Sequence, residues 1–238
     1  MHSFLVLLKK DLLEIKRSSK WIIYILTFIF VTVLSVATAR VLPEVFNLLF
    51  EETGLDGLFT YEVSVADSYL QYVANIGEIC LLLIMIMFST SLIKEKSNGT
   101  YYLLKNNGIS DWKIVISHFV SKFILITVSY LISIAVFIPL NLLVFNEYTG
   151  YRGVISLTYL YISLIFALSV ALFVSSFCKK KSSAYAIAIV VYFTLTLLSA
   201  IPYIDVYNPL YSLILASNIM TEVDYKQSDY IMNIWYST

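Results

Sequence analysis

Long stretches without a single charged residue limit what this chain can fold into. A helix rises about 1.5 Å per residue and the hydrocarbon layer of a bilayer is about 30 Å thick, so about 20 apolar residues cross it. Four uncharged runs reach that length, at residues 21–39, 123–146, 153–178 and 182–204. Only 13% of the residues are charged, against about 25% in an ordinary soluble domain. The runs are therefore interpreted as membrane spans.

A fifth apolar run, residues 79–93, would extend only about 22 Å as a helix. We expect its helix to begin near Leu70 and to carry Glu78 into the outer hydrocarbon region, where ionisable groups are costly and often functional. Alternatively, Glu78 reaches outward or hydrogen bonds within the bundle, aided by Tyr72 or Asn75. The sequence thus predicts an all-α, polytopic integral membrane protein with five visible spans, at about 21–39, 70–93, 123–146, 153–178 and 182–204. Residues 1–238 form a single transmembrane domain.

The distribution of basic residues predicts the orientation in the membrane. Thirteen of the sixteen Lys and Arg precede the first span, separate the second from the third, or separate the fourth from the fifth. Because Lys and Arg are retained on the cytoplasmic side, the N-terminus is expected in the cytoplasm. We expect a multi-pass protein of the plasma (inner) membrane.

The remaining ends of the chain are predicted to lie at the membrane surface. Residues 1–20 are amphipathic, with Phe4, Leu8 and Leu12 at helical spacing and charges on the other side, which indicates an interfacial helix. This helix either only anchors the first span or also contacts a partner subunit. Residues 205–238 are expected outside as a re-entrant or tail segment, since 206–220 is too short to cross. A sixth span is absent, or truncated around residues 231–235.

The cytoplasmic loop of residues 94–122 carries regularly spaced helix breaks. Asn98-Gly99 should end the second membrane helix, because glycine adopts the left-handed conformation that terminates helices. Thr100 is then expected to cap a short helix, which Asn107-Gly108 ends. Ser110 with Asp111 begins the helix of the third span. Such a short amphipathic helix is suited to insert into a groove on a soluble partner, or to rest on lipid.

The same loop carries a resemblance to a known family. Its residues are E-x-x-x-G-T at Glu95, Gly99 and Thr100, then Leu103-Leu104, Ile109-Ser110, Trp112, Ile114-Val115 and Lys122. The pattern resembles the cytoplasmic loop of ABC exporter permeases of type 2, in which a coupling helix docks on the nucleotide-binding subunit. The order of segments along the chain is also similar to that family. Asn107-Gly108 replaces the proline-containing turn that many members have.

The resemblance implies a transmembrane permease subunit of an ATP-driven exporter. Its partners would be a cytoplasmic ABC ATPase subunit, a second permease subunit, identical or related, and membrane lipid. The implied ATPase-coupling residues are Glu95, Gly99, Thr100, Tyr101, Leu103, Leu104, Ser110 and Asp111. Glu95 would orient the loop through the ATPase or a neighbouring helix, and Leu103 and Leu104 would be apolar anchors. Glu78 is the candidate for the substrate pathway.

Several kinds of chemistry lack their motifs in this sequence. There is no G-x-x-x-x-G-K-[ST] phosphate loop, so ATP hydrolysis is expected on a separate subunit and no catalytic residue is assigned. His2 and His118 lack metal-site spacing, so no metal or cofactor is expected. The net charge of zero predicts no nucleic-acid partner. The alternative function is a non-transporting membrane scaffold, immunity or sensor protein, which would have no stoichiometric ATPase partner.

Overall fold

A computed structural model describes residues 2–53, 64–147, 149–199, 201 and 205–221, and all regular structure in them is helical. The helices are α1 (His2–Arg17), α2 (Lys20–Thr53), α3 (Val65–Asn75), α4 (Leu81–Phe88), α5 (Ser91–Ser97), α6 (Thr100–Asn106), α7 (Asp111–Phe145), α8 (Gly150–Phe177), α9 (Lys181–Ser199) and α10 (Tyr211–Asn218). A π-helical segment, Ile76–Cys80, joins α3 to α4. The predicted all-α polytopic fold is confirmed.

Five helical stretches are long and apolar enough to cross a membrane. They are Lys20–Leu42, Val65–Ser97, Asp111–Phe145, Gly150–Phe177 and Lys181–Ser199. The second begins at Val65 instead of near Leu70, because Ser64 and Asp67 form a capping box there. The third begins at Asp111, well before residue 123, since a helix that has started continues through polar residues until a terminator is met. Much of the expected cytoplasmic loop is therefore helical.

Hydroxyl groups join the helices inside the bundle. Ser133 Oγ on α7 lies 2.7 Å from Thr32 Oγ1 on α2 and 2.6 Å from the Tyr72 hydroxyl on α3. Ser175 Oγ on α8 accepts a hydrogen bond of 2.9 Å from the backbone N–H of Leu92, the second residue of α5. Small polar side chains commonly hold membrane helices together in this way. Thr32, Ser133 and Ser175 therefore contribute to helix packing.

The segment after α9 folds back against the bundle. Asn208 Nδ2 donates to the Leu195 carbonyl at 2.6 Å and to Ser199 Oγ at 2.7 Å, which turns the chain. Helix α10 then packs on α8, where Ser156 Oγ donates to the Ala216 carbonyl at 2.6 Å. Residues 222–238, which include the proposed remnant of a sixth span at 231–235, lie outside the described residues. Residues 205–221 are thus part of the helical bundle.

Candidate functional site

The turn between α5 and α6 depends on one glycine. Gly99 has φ of +75°, a left-handed conformation that glycine adopts without a steric penalty. Gly99 is itself the N-cap of α6, and no side chain caps this helix. The prediction that Thr100 caps α6 is therefore wrong, and Thr100 is the first residue inside the helix. A side-chain cap comes from the residue just before the helix. That residue is Gly99, which has no side chain.

The turn between α6 and α7 depends on a second glycine and on an asparagine. Gly108 has φ of +76°, and the N–H of Ile109 donates to the Leu104 carbonyl at 3.2 Å. Asn107 Nδ2 donates to the Leu103 carbonyl at 2.9 Å, so the last carbonyls of α6 are satisfied. Ser110 is extended at the N-cap of α7, but its hydroxyl makes no capping bond. The helix-stop-helix pattern of the sequence is present in the structure.

Three large apolar side chains of this loop are more than half exposed. Tyr102 is 59% exposed and Leu103 is 65% exposed on α6, and Trp112 is 60% exposed in the first turn of α7. Leu104 is only half-exposed. Exposed aromatic side chains of this kind are typical of protein contact surfaces. We call Tyr102, Leu103 and Trp112 the exposed apolar set.

Polar contacts hold the loop together. Lys105 Nζ donates to Asp111 Oδ2 at 3.0 Å and so ties the end of α6 to the start of α7. This hydrogen bond, together with the charge of Asp111, raises the pKa of Lys105. The Lys96 ammonium lies 5.5 Å from the ring centroid of Tyr101, and the Tyr101 ring packs edge-on against Tyr102. Tyr101 and Asp111 therefore contribute to the shape of the loop.

Glu95 is buried, with 5% of its surface exposed, four residues before the Gly99 turn. Its Oε1 accepts a short hydrogen bond from Lys10 on α1. Its Oε2 lies 2.9 Å from His118 Nε2 on α7. Glu95 thus connects α5 to two other helices, away from the exposed apolar set.

The other ring nitrogen of His118 contacts a buried lysine. Lys122 Nζ lies 2.8 Å from His118 Nδ1, and both residues are buried on α7. An ammonium only donates hydrogen bonds, so Nδ1 accepts and the ring proton is on Nε2, facing Glu95. Lys122 therefore donates to His118, and the Nε2 of His118 lies 2.9 Å from the Glu95 carboxylate that accepts from Lys10. With Asp11 and Ser117 these residues form what we call the buried polar cluster.

Helix α1 packs part of its charged side against the protein. Asp11 is 1% exposed and accepts a 2.5 Å hydrogen bond from Ser117 Oγ on α7. Partial burial lowers the pKa of Lys10, but its hydrogen bond to Glu95 and the charge of Asp11 outweigh this and raise it. Burial raises the pKa of Glu14, but a 2.6 Å hydrogen bond from Lys94 outweighs it and lowers that pKa. Both groups are charged at neutral pH.

Three residues of the cluster have side chains of the kind that bind metals. One ligand atom each from Asp11, Glu95 and His118 lies within 4.8 Å of the others. However, the Lys10 ammonium contacts both carboxylates and Lys122 contacts the imidazole. The positive charge that a metal ion would bring is already supplied by lysine, so the arrangement is an ion-pair network.

Glu78 lies in the π-helical segment, with its side chain exposed. It lines a cavity of about 220 Å³ between this segment, α9 and α10. Of the alternatives for Glu78, a hydrogen bond from Tyr72 or Asn75 is not found, because both side chains bond elsewhere. Tyr72 hydrogen bonds to Ser133, and Asn75 Nδ2 donates to Ser35 Oγ at 3.0 Å.

The comparison with protein families gives a match over residues 5–221, from α1 through α10, to the ABC-2 family transporter protein. The chain belongs to the ABC-2 transporter family. It is an integral multi-pass membrane protein and a permease of an ABC transporter. Comparisons with curated proteins and with solved structures return no match.

Sequence reasoning missed several residues of this ABC-2 permease. Tyr102 lay beside residues that were singled out, and its exposure depends on the pitch of α6. Lys10 and Asp11 resembled ordinary charges flanking a span, and Lys122 was noted only as part of the family-like pattern of the loop. The one available signal was the spacing of Asp11, which lies four residues from both Leu7 and Ile15. This spacing puts its carboxylate on the apolar face of the helix.

Proposed function

We propose that this permease is the membrane subunit of an exporter and takes its energy from a separate cytoplasmic ATPase that docks on α6 and the first turn of α7. The exposed apolar set carries this proposal. Tyr and Trp are enriched among residues that dominate binding energy. Tyr102, Leu103 and Trp112 lie on a loop fixed at one end by the buried polar cluster.

Charge supports the cytoplasmic placement of this side. Thirteen of the sixteen Lys and Arg fall within residues 9–20, 94–122 and 179–181. Retention of basic residues in the cytoplasm then puts α1, α6 and the N-terminus inside, in the plasma (inner) membrane. The segment containing α10 is on the outer side in this arrangement.

The proposed mechanism transmits force through rigid contacts. ATP-driven closure of the ATPase displaces α6, and the Gly99 turn passes the displacement to α5. Because Glu95 binds Lys10 on α1 and faces His118 on α7, three helices move together. The coupling is therefore mechanical.

A second permease copy, identical or related, completes the pathway in this proposal. Of the five candidate spans, α9 packs least within the chain, with 17% of its most apolar stretch buried. Its large apolar surface suits a neighbouring subunit or lipid. Glu78, beside α9, is placed along the substrate pathway.

Capture of the ATPase from native membranes tests the proposal. The chain, tagged at its N-terminus, is extracted in mild detergent and its stoichiometric partners are weighed. A soluble ATPase at close to one copy per permease is the expected result. A folded, abundant permease that captures no ATPase would overturn the proposal and favour a scaffold, immunity or sensor protein.

Replacing Gly99 with valine should uncouple the ATPase while leaving the chain inserted. A left-handed conformation costs a residue other than glycine about 1–2 kcal/mol, which shifts the turn population about five- to thirtyfold. We expect a comparable loss of permease-stimulated ATP hydrolysis by the captured complex in nanodiscs. Nothing lies within 4 Å of a Cβ built at Gly99, so backbone strain is the only cause.

Two variants serve as controls for Gly99→Val. Gly99→Asn should retain most of the stimulation, since asparagine tolerates the left-handed region. Gly150 has φ of +61° at the start of α8, at the opposite end of the bundle, so Gly150→Val adds similar strain away from the loop. Equal stimulation by Gly99→Val and the wild type would remove Gly99 from the mechanism.

A further inference from the structure

The cavity beside Glu78 is lined by a small set of chemical groups. Its apolar wall is formed by Val73, Ala74, Gly77, Leu210, Leu213 and Ile214. Its polar side chains are Glu78, Tyr192, Thr196, Ser199 and Ser217. At about 220 Å³ the cavity is smaller than the roughly 300–1,000 Å³ of most ligand pockets. It therefore fits one polar head and the first part of an apolar chain.

The hydroxyl oxygens that line the cavity can only accept hydrogen bonds from a ligand, because each hydroxyl proton is already donated to a backbone carbonyl. Thr196 Oγ1 donates to the Tyr192 carbonyl at 3.0 Å, and Ser199 and Ser217 donate to carbonyls one turn earlier in the same way. The Tyr192 hydroxyl donates to the Glu78 carbonyl at 3.3 Å. The side chains lining the described cavity thus present lone pairs to a ligand and keep no spare O–H.

Glu78 adds a negative charge in the middle of a membrane span. The continuous helical run from Val65 to Phe88 puts Glu78 about 20 Å from its first residue and about 15 Å from its last. No residue that the structure describes forms an ion pair with the Glu78 carboxylate. An ionised carboxylate at such depth is costly without a counter-charge.

The backbone is unusual at the same place. The N–H of Leu81 bonds to the carbonyl of Ile76, so the turn that contains Glu78 is π-helical. Single π turns are rare and are frequently found at functional sites. Three independent features, the unpaired carboxylate, the acceptor-only wall and the π turn, therefore coincide in one cavity.

We propose that this cavity binds the primary ammonium of an amine that carries an alkyl chain. The ammonium donates to the Glu78 carboxylate and to the hydroxyl oxygens of Thr196 and Ser217, and it lies beside the Tyr192 ring, whose face attracts cations. The alkyl chain lies against the wall formed by Val73 and Leu213. An anion would meet only acceptors and a like charge. As a substrate class for the proposed pathway, this inference rests on the proposed function.

Binding of a labelled amine by the full chain tests the inference. The probe is tritiated dodecylamine, and the permease is held in nanodiscs of phosphatidylcholine. Saturable binding is expected for the wild type, with affinity about ten- to a hundredfold lower in Glu78→Gln, because a charge-assisted hydrogen bond is lost. Glu44→Gln is the matched control, since Glu44 is an exposed carboxylate on α2, and it should bind as the wild type does.

A second variant tests the cavity apart from its charge. Ala74→Phe narrows the cavity and retains Glu78, and it should lower the affinity for dodecylamine to a similar extent. Nanodiscs containing phosphatidylethanolamine distinguish the source of the ammonium: competition shows that a lipid head group binds, and its absence shows that a free amine is preferred. Binding by Glu78→Gln within twofold of the wild type, or equal binding of dodecanoate, would overturn the inference.

The two proposals fail separately. If the permease captures an ATPase but binds the amine equally well without Glu78, only the ammonium site is refuted. Glu78-dependent binding by a permease that captures no ATPase removes only the exporter assignment, and the site stands.

Discussion

Replacing Tyr102 and Leu103 with aspartate is expected to abolish capture of the ATPase, with at least about a hundredfold loss of affinity. Both side chains are more than half exposed, so they are free to enter a groove on a partner. Each substitution removes an apolar anchor and adds a charge that an apolar groove cannot solvate. Because surface substitutions usually change stability by less than about 0.5 kcal/mol, the permease should still fold.

Co-purification and direct titration of the ATPase onto immobilised permease both measure this effect. Asn106→Asp is the control for each added charge, because it puts one negative charge on an exposed polar position of α6. It should capture the ATPase normally. If Tyr102→Asp/Leu103→Asp permease retains its ATPase at wild-type stoichiometry, α6 is not the docking helix.

Replacing Glu95 with alanine should lower the free energy of unfolding by about 3–5 kcal/mol, the usual cost of breaking a buried ion pair. Lys10, which is half-buried, and His118, which is buried, would both lose the carboxylate that they face. The stability is measured by titrating purified permease with SDS and following helix loss. The variant should also capture less ATPase, because α5 would no longer be fixed to α1.

Two further variants distinguish the loss of a buried ion pair from the loss of an exposed one. Glu44→Ala breaks an exposed pair with Arg40 and should cost less than about 1 kcal/mol. The double change Lys10→Met/Glu95→Met removes both members of the pair and should cost less than Glu95→Ala, since the ammonium is removed with its partner and Asp11 keeps its hydrogen bond from Ser117. A Glu95→Ala permease as stable as Glu44→Ala would show that the cluster contributes little to the fold.

The sequence predicted the spans well because the signal there is composition summed over about 20 residues. The same holds for the stops at Gly99 and Gly108, since left-handed turns leave glycine at fixed places. Helix ends were less certain. The start of α3 depends on reciprocal hydrogen bonds between Ser64 and Asp67. The prediction for Thr100 was wrong because the sequence Gly99-Thr100 allows either residue to be the N-cap, and in the structure it is Gly99.

The site was only partly predictable, because its main contacts join residues far apart in the chain. Lys10 and Glu95 are separated by 85 positions, and neither position indicates the other in a single sequence. Glu78 was recognised because the apolar run of residues 79–93 is too short to cross the membrane, so its helix must extend back through this charged residue. Its acceptor-only cavity depends on the return of α10 and on a π turn, and local sequence patterns specify neither.

The contact between Asp11 and Ser117 has a consequence for how the protein is made. Asp11 leaves the ribosome before the first span, whereas Ser117 is synthesised 106 residues later. Until α7 has entered the bilayer, α1 has no surface on which to bury its carboxylate, so it must wait at the edge of the membrane in contact with water. Helix α1 therefore packs only after the third span has been inserted, although it precedes that span by two membrane crossings along the chain.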